Sequence, residues 1–174
     1  MKEVYGPSAV EALVRDASPA LKAVMSRRIR QGAWYPYPAY VELLRRIDAR
    51  HGKGDLAYCR TLGDWAGQQD LGSMFRIYAA LADPERLIRG CRLVWPQYYR
   101  NAGEMTAVTT SPSDTCVRIT GFARMDSAHC RLMEGWMIST MRQIGCDVHP
   151  GDRETECVSQ GGAHHEFRCT WSRA

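Results

Sequence analysis

The chain has 174 residues, 45% of them hydrophobic and 24% charged, with a net charge of +4. That size and balance describe one globular domain that can bury its own apolar core without disulfide or metal staples. They exclude a protein built on a membrane span, because no apolar run reaches the required length. Residues 1–7 carry no apolar leader segment, so a cytoplasmic protein is expected. The seven cysteines, odd in number and irregular in spacing, read as reduced thiols, most of them small buried hydrophobes.

In chain order, Ser8 is placed to cap a short segment through Val14. Ser18-Pro19 offers N-cap and N1 for a helix to about Arg30, with Leu21, Val24 and Met25 at helical spacing. Pro36 and Pro38 open the next helix, with Tyr40, Leu43, Leu44 and Ile47 apolar, ending before Gly52. A third begins near Asp55 and carries Leu56, Cys59, Leu62 and Trp65. A fourth, capped by Ser73, carries Met74, Ile77, Tyr78 and Leu81. A fifth runs from Pro84 to about Tyr99, interrupted near Pro96. The runs Arg27-Arg28-Ile29-Arg30 and Arg45-Arg46 read as solvated helix faces. The charge is neither large nor gathered into one stripe, so nucleic acid is not the expected partner.

The pattern then changes. Met105–Thr110 and Cys116–Phe122, rich in Val, Ile and Thr, flank the turn signal Ser111-Pro112-Ser113-Asp114 and read as a hairpin. Asp126 or Ser127 caps a long helix bearing Cys130, Met133, Trp136, Met137, Met141 and Ile144, closed by Gly145 as C′ residue. Cys146–Val148 is a short strand, and Val158 with Phe167–Trp171 flanks Gly161-Gly162 as a final hairpin. The expected class is α+β. A helical part over about 1–102 packs on a four- to five-stranded, mainly antiparallel sheet, with β-β-α-β-β over about 103–174 in a single domain.

The carboxy-terminal segment concentrates the chemistry. Glu154, Cys157, Gly161-Gly162, His164 and His165 lie in one short ribbon, with Cys130 on the preceding helix. Thiolate, imidazole and carboxylate donors gathered in this way suit zinc. A three-residue turn over 160–162 sets Cys157 opposite His165, whereas a two-residue Gly161-Gly162 loop sets His164 on the Cys157 face. Either way one imidazole is available. Glu154 faces the other side of a regular strand and joins only if the chain bends near Gly151-Asp152. Gly135, beside Trp136, lets another element approach closely or leaves room for a ligand. The proline-rich run Trp34-Tyr35-Pro36-Tyr37-Pro38 is a rigid turn on the core, a pocket lid or a dimer surface.

The order hairpin, long helix, hairpin, ending in an acid–Cys–Gly–His–Phe signature, resembles the 4-vinyl-reductase domain. Its superfamily contains haem-NO-binding domains, TRAPP transport subunits and the sensor domains of phenol-responsive activators. The closest resemblance is to an uncharacterised paralogous bacterial family of about this length, carried by Trp34-Tyr35-Pro36, Trp95, Cys157, Gly161, Phe167 and Trp171. The superfamily signature spans roughly residues 100 to 172. The resemblance implies a zinc site at Cys130, Glu154, Cys157 and His165, the last standing where the phenol sensors carry Cys. It also implies a closed ligand pocket between helices and sheet, and a homodimer. Trp95, Met133, Trp136, Met137 and Phe167 are the expected pocket residues.

Three functions follow as expectations. The first is a sensory or regulatory domain that binds a small apolar ligand and signals through a partner protein. The second is an adaptor of the TRAPP type. The third is an enzyme of unknown reaction. For the third, Glu134, Glu154 and His129 are acids and bases that nothing in the sequence assembles, and Cys157 with His165 is a nucleophile–base pair without an orienting third group. Phosphate-binding glycine loops and a nucleophile elbow are missing from the sequence.

Overall fold

The computed structural model describes residues 2–30, 32–71, 84–149, 151 and 153–173. Among these are seven α-helices: α1 (Lys2–Val14), α2 (Pro19–Met25), α3 (Tyr37–His51), α4 (Ala57–Leu71), α5 (Pro84–Arg89), α6 (Cys91–Tyr98) and α7 (Ser127–Gln143). The five strands are β1 (Glu104–Thr110), β2 (Asp114–Thr120), β3 (Cys146–Val148), β4 (Glu154–Glu156) and β5 (His165–Arg173). The class is α+β, as expected. The chain divides into two compact units, 1–59 and 60–174. The second unit takes in α5 and α6, which pack on β1. No described helix is long and apolar enough to cross a membrane. The predicted fourth helix, with Ser73, Met74, Ile77, Tyr78 and Leu81, lies outside the described residues.

In the first unit, Ser18 caps α2 as its sequence indicates: the Leu21 N–H donates to Ser18 Oγ at 3.2 Å, with Pro19 in the first turn. The same hydroxyl donates to Glu42 Oε2, and the Ser18 N–H donates to Glu42 Oε1 at 2.9 Å. One carboxylate on α3 therefore fastens the cap of α2. These hydrogen bonds, chiefly that of the Ser18 hydroxyl, pull the Glu42 acid down to about 2. A depressed carboxylate stabilises above its unfolded value of 4.5 and stops doing so as pH falls towards 2. Glu42→Gln is expected to lower the urea midpoint at pH 6, with the gap from wild type closing on acidification through that window. A gap independent of pH would contradict it.

Helix α2 stops at Met25, short of the predicted Arg30. Val24 and Met25 are its last side chains packed on the small core of Ala17, Leu21 and Ala39, and residues 26–30 are exposed. A seven-residue helix persists only where it is packed. The basic run therefore sits on a loop and not on a helix face. Helix α3 keeps its predicted bounds at Pro36 and Gly52. Its fully buried Asp48 accepts from the N–H groups of Leu56 at 2.9 Å and Tyr58 at 3.0 Å, satisfying the open end of α4. Leu56 has φ +66° and lies outside that helix, which begins at Ala57.

In the second unit, the predicted helix over 84–99 is two helices that part at Gly90 rather than at Pro96. Pro96 lies inside α6. The neighbouring Trp95 is buried and its indole N–H donates to Ala102 O at 2.9 Å, so tertiary packing holds the turn that proline weakens. The sheet runs β1-β2-β5-β3, with β4 pairing β5 on the β3 side, and every pairing is antiparallel. Thr115, Val117 and Ile119 form the inward face of β2. Helix α7 is capped by Asp126, whose carboxylate accepts from the Ala128 N–H at 2.9 Å, and Gly145, φ +81°, turns the chain away beyond its C-cap Ile144. Its apolar side joins Met105, Val117, Phe167 and Trp171 in the main core.

Helices α4 and α7 cross at backbone contact. A Cβ on Gly135 would lie 1.9 Å from the carbonyl oxygen of Arg60, and one on Gly63 would lie 1.9 Å from that of Leu132. The space at Gly135, open in the sequence to a ligand or to a neighbouring element, is taken by α4.

Candidate functional site

Four side chains from three elements and one connecting residue converge on one point. Cys130 stands in the first turn of α7, Glu154 opens β4, Cys157 follows β4, and His165 opens β5. Their donor atoms all lie within 4.8 Å of one another. Cys130 Sγ is 3.9 Å from Cys157 Sγ and 3.3 Å from His165 Nδ1, which is 3.1 Å from Glu154 Oε1. Cys130 and His165 are fully buried.

Glu154 reaches this point through a bulge in β4; Asp152, part of the anticipated bend, lies outside the described residues. Glu154 pairs with Phe167 and Glu156 with Glu166, so two steps along β4 match one along β5. A regular ladder puts residues three apart on opposite faces. The extra residue turns the strand, and Glu154 and Cys157 share a side. The bulge also decides between the two histidines. His165 enters the cluster, whereas His164 Nε2 lies 3.3 Å from Glu156 and 3.6 Å from Glu166.

Three of the six donor separations match the edges of a tetrahedral site, and the other three are no longer than 4.8 Å. Bond lengths of about 2.3 Å to sulfur and about 2.0 Å to nitrogen and oxygen give tetrahedron edges of about 3.8 Å for S–S, 3.5 Å for S–N and 3.3 Å for N–O. The three separations given above fall within a few tenths of an ångström of these. Burial, and then the Glu154 carboxylate, push the Cys130 thiol far above its ordinary value, so a thiolate here needs a cation. The acids Glu134 and Glu154, left unassembled by the sequence, are joined through the backbone. Glu134 Oε1 accepts from the Glu154 N–H at 2.8 Å and from Arg131 Nη1 at 2.8 Å, pinning β4 to α7.

The second unit also holds a cavity of about 60 Å³. Helix α7 supplies Trp136, Met137, Thr140 and Met141. Leu87, Ile88, Cys91 and Val94 come from α5 and α6, and Met105, Thr115, Val117 and Cys169 from the sheet. Of the expected pocket residues, Trp136 and Met137 border it. Trp95, Met133 and Phe167 do not; they are buried in the surrounding core. Trp95 is held by an aromatic group, stacking on His129 with ring centroids 6.4 Å apart. Thr115 and Thr140 carried no signal beyond strand or helix periodicity. The Thr140 hydroxyl donates to Trp136 O at 2.7 Å. Thr115 is fully buried, and its Oγ1 has no hydrogen-bond partner among the described residues. Burial lifts the Cys91 thiol to about 11, and its Sγ lies 3.4 Å from the Met105 carbonyl oxygen.

No family model matches this sequence, and no curated protein matches it either. Solved structures do match in fold. An H-NOX protein from K. algicida, in its unliganded Fe(II) form, superposes with a TM-score of 0.75 at 10% identity, covering 99% of this chain and 91% of that one. An H-NOX protein from S. oneidensis in the Fe(II)NO ligation state gives 0.75 at 11% identity, covering 99% and 93%. A structure solved to probe haem distortion in the H-NOX family gives 0.70 at 13%, covering 99% and 89%. At these identities the likeness is one of fold: the chain has the fold of H-NOX proteins.

Proposed function

We propose that this protein is a small-molecule-binding sensory or regulatory domain whose carboxy-terminal ribbon is clamped to α7 by a zinc ion. Cys130, Glu154, Cys157 and His165 would hold the metal. Four protein donors leave no open coordination position, so the ion supplies cross-linking and charge compensation and not catalysis. The observation that carries the ligand part is the cavity beside Thr115: an apolar chamber with a buried hydroxyl left to be satisfied. Helix α7 and strand β5 contribute to both sites, so an occupant of the cavity bears on the elements that hold the metal. A homodimer and a partner protein that receives the output complete the reading, as in the superfamily the sequence resembles. Light scattering of the purified protein tests the dimer, and a monomer at all concentrations counts against it.

The residues bordering the cavity do not suit the haem studied in the H-NOX family. About 60 Å³ admits a molecule of a few heavy atoms, well below the usual volume of a cofactor pocket. No imidazole borders it, and the Cys91 thiol is held protonated. His129 Nε2 is 2.7 Å from the Tyr99 hydroxyl, and burial drives its pKa down to about 3, which keeps the ring neutral. The expected occupant is small and uncharged, mainly apolar, with one hydrogen-bonding atom.

Two measurements test this. Mass spectrometry of organic extracts of the purified protein is expected to recover such a molecule; repeated empty extracts count against it. Thr115→Val replaces an unsatisfied buried hydroxyl with a methyl group, so it is expected to stabilise the ligand-free protein by about 1 kcal/mol. A ligand that raises the melting temperature of wild type should raise that of the variant less. Equal shifts would remove Thr115 from the binding site.

A further inference from the structure

We infer that the loop joining α2 to α3 is a docking surface for an anionic lipid bilayer. The loop follows Met25 and precedes Tyr37, and its described residues, 26–30 and 32–36, are all exposed. Arg27, Arg28 and Arg30 make no ion pair among the described residues. Between Asp16 and Glu42 the sequence holds Lys22 and these three arginines but no carboxylate, a local excess equal to the chain's whole net charge of +4. The flanking Glu42 is engaged by Ser18 and by Arg46 at 2.8 Å, so it does not neutralise the loop.

The same loop presents apolar groups to water. Ile29 is 53% exposed, Trp34 42% and Tyr35 39%. It also has internal order: the Arg30 N–H donates to the Tyr35 hydroxyl at 2.8 Å, and the Ala33 N–H to Arg30 O at 3.3 Å. A preformed tip loses little entropy on docking. Arginines attract anionic headgroups, Trp and Tyr favour the headgroup level, and an aliphatic side chain gains by entering the acyl boundary.

This combination separates the candidate partners. A second copy of the chain would bring like charge to like charge. Single-stranded nucleic acid needs a basic groove with stacking platforms along it, and Ile29 neither stacks nor hydrogen-bonds to a base. A bilayer uses all the exposed groups at once: cations at the headgroups, aromatic rings at the interface, and Ile29 beneath them.

Co-sedimentation with phosphatidylcholine vesicles, with and without phosphatidylglycerol, tests the inference on the full chain. Binding is expected only to the anionic vesicles, and it should weaken as salt rises. The triple variant Arg27→Gln, Arg28→Gln, Arg30→Gln is expected to lose roughly a hundredfold in partitioning. The corresponding triple lysine variant should retain most of it. Ile29→Ser should weaken binding without changing its salt dependence. All the variants alter exposed residues, and unchanged melting temperatures verify that they fold. No binding to anionic vesicles, binding that survives the glutamine variant, or a single-stranded oligonucleotide that binds more tightly than the vesicles would each overturn the inference.

Discussion

Purified wild type is expected to carry one equivalent of zinc, and Cys157→Ser none. A chelator should lower the melting temperature of wild type and leave that of the variant unmoved. The physical reason lies in what the metal would compensate. Cys130, Glu154, Cys157 and His165 crowd their donor atoms within 4.8 Å in a largely buried place, and burial with the neighbouring carboxylate holds the Cys130 thiol protonated. A bound dication turns that crowding into coordination, and its binding free energy becomes folding free energy. A loss of at least about 3 kcal/mol is expected on removal, equivalent to roughly 6–12 °C for a chain of this size. Simple truncation of a core thiol would also destabilise, so the chelator arm is decisive. Equal zinc in both proteins, or none in either, removes the metal from the account.

Gly135→Ala is expected to prevent stable folding or to cost about 3 kcal/mol or more. The added methyl group would fall 1.9 Å from the Arg60 carbonyl oxygen. That atom belongs to the backbone of α4, so relief requires moving a helix and not a rotamer. Gly63→Ala meets the Leu132 carbonyl at the same distance from the other side of the crossing. Chemical denaturation of both variants reads the effect. A loss below 1 kcal/mol in either would mean that α4 and α7 cross further apart than described. The double variant should cost less than the two single losses together, because one separation of the helices relieves both clashes.

Much of the scaffold was legible from local chemistry. Ser18-Pro19, Pro36, Asp126 and Gly145 each mark a helix end, because capping and the φ preferences of proline and glycine act within a few residues. The Val, Ile and Thr content of 105–110 and 116–122, with the turn residues between them, likewise announced the β1–β2 hairpin. The misreadings came where tertiary packing outweighed a local rule. Arg27–Arg30 continues a helical pattern, yet the helix stops where its apolar contacts end. Pro96 signals a break, yet buried Trp95 holds the turn and the chain parts at Gly90 instead.

The candidate site divides in the same way. Which residue types were present, thiols, an imidazole and a carboxylate at ligand-like spacing, was decided by sequence alone, as was the α+β order that brings the ribbon after the long helix. Two things were settled only by tertiary structure. The bulge between Glu154 and Glu156 depends on how β4 registers against β5, and it selects His165 over His164 while turning Glu154 inward. The cavity depends on which side chains from α5, α6, α7 and the sheet fail to fill the space between them, so Trp136, Met137 and Thr115 border it while Trp95, Met133 and Phe167 are packed away. Register and residual volume belong to several segments at once, and no local pattern encodes them.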